Sequence, residues 1–186
     1  MACLIAHNKA DENAVGPNAT REDFRKLFTD DTSSFYLLSF LLTARHEIAE
    51  LCFVTGFNEC VEGNAVSRDW ARPWARRIII QNAIQIMMPR PDPSRSAPSA
   101  MNLKGNLTGM RLQDAPFASI IALEDFERLV YVLSVLEGYV DQNCALLLSA
   151  SAQAARNARE RAFKHIAEFE MGEAAPVNEL TNVGQR

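Results

Sequence analysis

The chain has 186 residues, with 19 Lys and Arg against 23 Asp and Glu and a formal net charge of −4. Contacts to phosphates supply most of the affinity of DNA-binding proteins. This charge therefore argues against strong DNA binding by the chain alone, although not against delivery to DNA by a larger partner. A hydrophobic content of 48% with 23% charged residues is that of an ordinary globular protein and excludes a wholly disordered chain.

The cysteines and the amino-terminal residues bear on the compartment. Cys3, Cys52, Cys60 and Cys144 are scattered and form no Cys-x-x-Cys pair, which favours reduced thiols in a cytoplasm. The apolar run at residues 1–6 is too short for a signal peptide, and no stretch approaches the length of a membrane span. We expect a cytoplasmic protein without membrane insertion.

The first half of the chain reads as helices. Residues 1–20 show no hydrophobic period and predict a flexible tail. Thr20 followed by Asp23 resembles a capping box, so a helix is expected to begin there. Two strongly apolar segments follow and predict two helices that meet near Thr43, the second ending at Gly63. Their expected core positions are Leu37, Leu38, Leu41 and Leu42 in the first helix and Ile48, Leu51, Cys52 and Thr55 in the second.

A further helix is predicted to start near Pro73, because proline is tolerated in the first turn of a helix. Trp70 and Trp74 lie on either side of this start, and three arginines are interleaved with them. Aromatic residues interleaved with arginines can stack on unpaired bases. The alternative is that both tryptophans pack in the core, with Trp70 as the better core candidate.

Prolines and glycines interrupt residues 89–116, where no hydrophobic period survives, so this segment is predicted to be a linker. It divides the chain into two small helical domains, 21–88 and 117–170. Residues 171–186 resemble a second flexible tail. The predicted fold class is all-α.

The second domain begins with apolar residues at three- and four-residue steps over 123–136, which predicts a helix with one buried face. Gly138 is expected to end this helix in a left-handed cap. A short helix over 140–148, a tight step at 149–151 and a basic helix follow, in the order of a helix-turn-helix motif. The core positions expected over both domains are Leu38, Leu41, Ile48, Trp70, Ile78, Leu129, Leu133 and Leu148.

Two segments resemble bacterial extracytoplasmic-function sigma factors. Residues 123–169 are similar to region four, which binds the minus-thirty-five promoter element. They share with it an acidic and hydrophobic first helix, a Glu-Gly pair (here Glu137 and Gly138), a small residue (here Cys144) in the next helix, and a basic last helix. Residues 36–84 resemble region two, in which a Trp, here Trp70, precedes the Arg-rich helix that holds the minus-ten element.

The resemblance implies a DNA-binding transcription initiation protein that directs RNA polymerase to promoters, with no catalytic chemistry and no cofactor. The implied partners are core RNA polymerase and promoter DNA, and an anti-sigma-like protein is a further candidate. The DNA-contacting residues it implies in the second domain are Ser151, Gln153, Arg156, Asn157, Arg159, Arg161 and Lys164. Those it implies in the first domain are Arg72, Trp74, Arg76, Arg77 and Gln81. The polymerase-facing residues it implies are Glu47, Glu50, Val54 and Asn58.

Some positions differ from the family pattern and leave a second function open. Leu51, Val54 and Thr55 stand where polar groups meet the polymerase. Basic positions of the last helix are occupied by Ala155, Ala158 and Ala162. The alternative is a diverged sigma-like scaffold that binds another protein without promoter contacts. From periodicity alone, the basic helix also fits a solvated face with i,i+4 ion pairs to Glu160 and Glu168.

His46, Cys52 and Cys60 invite a metal hypothesis, but zinc needs four ligands at closer spacing. A buried cysteine that acts as a small hydrophobic residue is the favoured interpretation. No nucleophilic triad, carboxylate pair or phosphate-binding glycine loop can be assigned. We therefore expect neither a metal site nor an enzyme.

Overall fold

The computed structural model describes residues 18–63, 66–88 and 117–173, with side chains as far as Met171. Within these ranges the chain forms eight α-helices, and its only β-type pairing is an isolated bridge between Asn18 and Ser67. The all-α prediction is confirmed for this part of the chain. The predicted linker 89–116 and most of both predicted tails lie outside the described residues.

The first helix, α1 (Arg21–Asp30), begins with the predicted capping box. The Asp23 side chain accepts from the Thr20 backbone N–H at 2.8 Å, and the Thr20 hydroxyl accepts from the Asp23 N–H at 3.2 Å. These bonds from Thr20, with the Arg68 guanidinium beside them, lower the pKa of Asp23. Ala19 N–H also donates to the Val66 carbonyl at 2.6 Å. Residues 18–20 are thus bonded to the helical body, so the predicted tail 1–20 extends too far.

Three longer helices pack around the first core: α2 (Thr32–Thr43), α3 (His46–Glu62) and α4 (Ala71–Met87). Their contacts bury Phe35, Leu42 and Ile79 almost completely. Gly56 allows α3 to approach α4 closely, because a Cβ at that position would lie only 3.0 Å from Cγ1 of Ile79. The predicted helices and their division near Thr43 are confirmed.

Two predicted core positions in this half are wrong. Trp70 is 67% exposed, because it ends a 3-10 turn (Arg68–Trp70) and precedes α4 instead of sharing a helical face with Trp74. Leu51 is 52% exposed, since the buried side of α3 runs through Ala49 and Cys52. Each helical residue rotates about 100° from the one before, which turns Leu51 away from its buried neighbour.

Three smaller differences concern the same helices. Leu37 is 38% exposed and Thr55 is only partly buried. The helix α4 starts at Ala71, two residues before the predicted start at Pro73. Pro73 still lies in the first turn, where its missing N–H would have no intrahelical acceptor.

The second half contains α5 (Ala118–Ile121), α6 (Asp125–Tyr131), α7 (Asp141–Leu147) and α8 (Ala152–Glu173). A π-helical turn (Val132–Leu136) continues α6, with Glu137 N–H donating to the Val132 carbonyl at 2.9 Å. Gly138 follows with φ of 74°, so the predicted left-handed glycine is confirmed. The helix α8 runs to Glu173, three residues into the predicted tail 171–186.

The two halves meet at Arg128, whose side chain is completely buried. Its guanidinium donates to the Leu42 and Thr43 carbonyls of α2 at 3.4 and 3.3 Å and to the Leu123 carbonyl at 2.8 Å. It also pairs with Asp125. Burial lowers the pKa of Arg128, and Asp125 opposes that shift. The division into two separately folding domains stays a prediction.

Candidate nucleic-acid interface

The turn between α7 and α8 has the tight geometry expected at 149–151. Ser149 adopts φ of 50°, and Ala150 N–H donates back to the Ala145 carbonyl at 2.9 Å. The Ser151 hydroxyl accepts from Ala154 N–H at 3.1 Å, which caps the start of α8. These bonds hold the backbone of the turn that joins the two helices.

One side of α8 consists of alanines that pack inward. Ala155, Ala158 and Ala162 are each 0% exposed, and the helix contacts α5, α6 and α7. These three positions therefore serve the packing of α8 in this protein and contribute no charge to its outer surface. Their small size lets α8 lie close to its neighbours.

The opposite side of α8 is a polar stripe. Its members follow the three- and four-residue spacing of one helical face, and all are exposed. Gln153 donates to Asn157 at 2.7 Å along this stripe. Arg159 lies beside the stripe and is partly buried, and Ser151 is exposed just before the helix. The residues of the polar stripe are Gln153, Arg156, Asn157, Glu160, Arg161 and Lys164.

Acids on the neighbouring helices pair with most of the basic residues of α8. Asp141 of α7 contacts Arg156 at 3.5 Å and accepts two bonds from Arg159, one of them at 3.3 Å. Only Lys164 shows the predicted i,i+4 pair, with Glu168 at 3.7 Å. The arginines are therefore already partnered when no nucleic acid is present.

Glu127 of α6 contacts two residues in the middle of α8. Its side chain is 4% exposed, and it accepts from Arg161 at 2.5 Å. Its second oxygen lies 3.1 Å from Nδ1 of His165, which is a donor only when that nitrogen carries the proton. A buried carboxylate needs such partners to offset its lost hydration. Arg161 thus has a structural task besides the predicted contact to DNA.

The predicted DNA-contacting residues of α4 are likewise mostly engaged. Arg72 pairs with Asp31 at 2.7 Å, while Arg76 pairs with Glu137 and donates to the Ser34 hydroxyl at 3.3 Å. Within the described residues, no acid pairs with the exposed Arg77. Trp74 and Gln81 are partly buried, and Trp74 packs against the core.

A cleft of about 460 Å³ opens beside the start of α4. The Arg76–Glu137 ion pair forms part of its wall and joins the two halves of the protein there. The Glu137 side chain is 8% exposed, and its hydrogen bond raises the pKa of Arg76. The residues around the cleft are Arg72, Pro73, Arg76, Leu136, Glu137 and Tyr139.

The four residues predicted to face polymerase do point outward from α3. Glu47, Glu50, Val54 and Asn58 are all exposed. Leu51 joins Val54 one turn away, and these two side chains are 52% and 46% exposed. The outer surface of α3 therefore combines acids with two apolar side chains.

The possible metal ligands are not brought together. His46 stacks on Phe40 and bonds to the Tyr36 hydroxyl at 3.0 Å. Burial raises the pKa of Cys52 to about 11 and that of Cys60 to about 12, as expected of thiols in apolar surroundings. No group of three His, Cys, Asp or Glu side chains suited to a metal occurs in the part of the chain that the structure describes.

Neither the models of known protein families nor a search of curated proteins gives a match to this chain. Among the described helices, none has the length and apolar content needed to cross a membrane. Function is therefore inferred from the helices and side chains described above.

Proposed function

We propose that this chain is a sigma-factor-like, cytoplasmic DNA-binding protein that directs RNA polymerase to promoters and carries no catalytic chemistry. The observation that carries the proposal is the polar stripe of α8, which lies opposite a buried alanine seam and follows a tight turn from α7. A helix presented in this way can enter the major groove. Core RNA polymerase and promoter DNA are the proposed partners, and an anti-sigma-like protein is a further candidate.

The side chains of the stripe have distinct parts in this proposal. Gln153 and Asn157 carry the amides that pair with adenine edges, whereas Arg156 and Lys164 supply charge for phosphates. The Arg156 side chain is 52% exposed and its contact with Asp141 is long, at 3.5 Å. Exposed ion pairs contribute about 0–1 kcal/mol, so a phosphate can replace this one at little cost.

Replacing Arg156 and Lys164 together with alanine should weaken binding to every duplex sequence. The contact of Arg156 with Asp141 is long, and Lys164 pairs with an exposed acid, so the fold should tolerate the loss of both side chains. Each lost phosphate contact should reduce the slope of log affinity against log salt concentration by about one unit. Arg161 is left intact in this variant because it holds the buried Glu127. The measurement is fluorescence anisotropy of a labelled duplex across a salt series.

The matched control for this experiment removes Arg25 and Lys26, two exposed residues of α1. It lowers the net charge of the protein by the same amount but leaves α8 unchanged. Equal affinities and equal salt slopes for the wild type and the Arg156 and Lys164 variant would contradict DNA binding through α8. Equal losses in both variants would indicate attraction by overall charge alone.

A scaffold that binds another protein is the second candidate, and the surface of α3 favours it. Leu51 and Val54 are exposed one turn apart beside Glu47 and Glu50. Exposed apolar side chains within a polar rim are typical of protein contacts. The ion pairs of Arg156 and Arg159 also favour the scaffold, because they reduce the charge available to DNA.

Replacing Val54 with glutamine should strengthen binding to core RNA polymerase, and the wild-type protein should bind weakly. In the family that this chain resembles, an amide at that position bonds to the polymerase, and valine offers no such bond. Affinity for the core enzyme at matched salt tests this, with Val140→Gln as a control at another exposed valine. Nanomolar binding by the wild type together with no change in the Val54→Gln variant would place the polymerase contact elsewhere.

A further inference from the structure

Asp141 occupies the first position of α7 and reaches across the tight turn to α8. Its carboxylate pairs with both Arg156 and Arg159, and its side chain is only 20% exposed. Asp141 is therefore a fixed negative charge beside the start of the polar stripe.

Arginine donates to carboxylates and to phosphates through the same N–H groups. A guanidinium that is bonded to Asp141 thus has fewer donors to offer a nucleic acid. The carboxylate also lies close enough to Arg156 to repel a phosphate that approaches that side chain. Both effects lower the affinity of the stripe for DNA.

Of the other two acids that pair with basic residues of α8, neither engages two arginines. Glu127 is 4% exposed and accepts from Arg161, so breaking that contact would leave a buried carboxylate without this partner and disturb the fold. Glu168 contacts only Lys164, and both side chains are more than half exposed. Asp141 alone among these three acids engages two arginines at the edge of the stripe.

We propose that Asp141 is an internal competitor for the arginines of α8 that sets how tightly the protein binds DNA. The inference rests on the proposed DNA-binding function. A phosphate displaces Asp141 from the exposed Arg156, while the better buried Arg159 keeps the carboxylate in place. Asp141 is thus a positioning residue that acts through the two arginines and need not touch DNA itself.

The test replaces Asp141 with asparagine and measures binding to a labelled 30-base-pair duplex (about three helical turns) by anisotropy across a salt series. We expect affinity to rise at least about fivefold with little change in the salt slope, because Arg156 reaches a phosphate in both proteins and only the competing carboxylate is lost. Asp141→Glu should restore behaviour close to the wild type. Glu170→Gln is the charge-matched control, at an exposed position about 16 Å along α8 from Arg159.

A purely structural role for Asp141 predicts the opposite sign. Loss of its ion pairs would then loosen α7 against α8, and both the thermal midpoint and the affinity for DNA would fall. If the wild type binds DNA and the Asp141→Asn variant binds equally or more weakly, this inference is wrong and the proposed function stands. Absence of binding by the wild type and the variant alike, even at low salt, overturns both. A similar gain in affinity for the Glu170→Gln variant would mean that net charge alone explains the effect, and it would also overturn the inference.

Discussion

Replacing Arg128 with methionine should destabilise the protein by roughly 3–5 kcal/mol, because it removes the donor from a completely buried site. Methionine retains the apolar stem, but the carbonyls of Leu42, Thr43 and Leu123 lose their bonds to the guanidinium. Leu42 and Thr43 end α2, where carbonyls have no intrahelical donor. Each buried acceptor left without a donor costs about 1–3 kcal/mol.

Chemical denaturation with urea, followed by circular dichroism, measures this loss as a lower midpoint. Arg25→Met is the matched control, since Arg25 is exposed on α1 and its pair with Glu22 is a surface contact. Its effect should stay within about 0.5 kcal/mol. Similar midpoints for the Arg128→Met variant and the wild type would mean that the guanidinium is hydrated and does not join the two halves.

Features encoded by neighbouring residues could be predicted from the sequence. The capping box at Thr20 and Asp23, the left-handed Gly138 and the tight step near Ser149 were each expected where they occur. The physical reason is that caps and turns depend on two to four consecutive residues, whose types restrict the backbone directly. The outward positions of α3 were also expected, because they follow from helical spacing alone.

The larger errors in burial concern apolar side chains that the fold leaves exposed. Trp70 is the better core candidate of the two tryptophans by sequence, but it ends a 3-10 turn just before α4 and is exposed. Leu51 was assigned to the core because it is apolar, although Cys52 and Ala49 define the buried side of α3. Apolar character permits burial but does not require it, since many exposed side chains are apolar.

The partners of the charged residues could not be predicted. Arg128 bonds to α2 carbonyls 85 and 86 residues away, and Glu127 pairs with Arg161 from 34 residues away. No local pattern specifies such contacts, because they depend on how helices pack after they form. Charged residues are also rarely buried without a partner, so an arginine or glutamate within an apolar helix gives little reason to expect burial.

Leu133 should be a sensitive apolar position of the second half. It is 0% exposed in the π-helical turn that continues α6. It belongs to the buried cluster that includes Leu148 of the turn and Ala155 and Ala158 of α8. Leu133→Ala should cost on the order of 2–5 kcal/mol, because the cavity it leaves lies between helices that are fixed by other contacts.

The matched control is Leu146→Ala, at a leucine of α7 that is 79% exposed, where the loss should be within about 0.5 kcal/mol. Thermal unfolding followed by circular dichroism compares both variants with the wild type. A loss of 2–5 kcal/mol is a large part of the 5–15 kcal/mol that stabilises a typical domain, so the midpoint should fall by several degrees. Because Leu133 is buried and does not belong to the polar stripe of α8, the folded fraction of the variant should bind DNA as the wild type does. Equal midpoints for Leu133→Ala and Leu146→Ala would place Leu133 at the surface and contradict the burial of the π-helical turn.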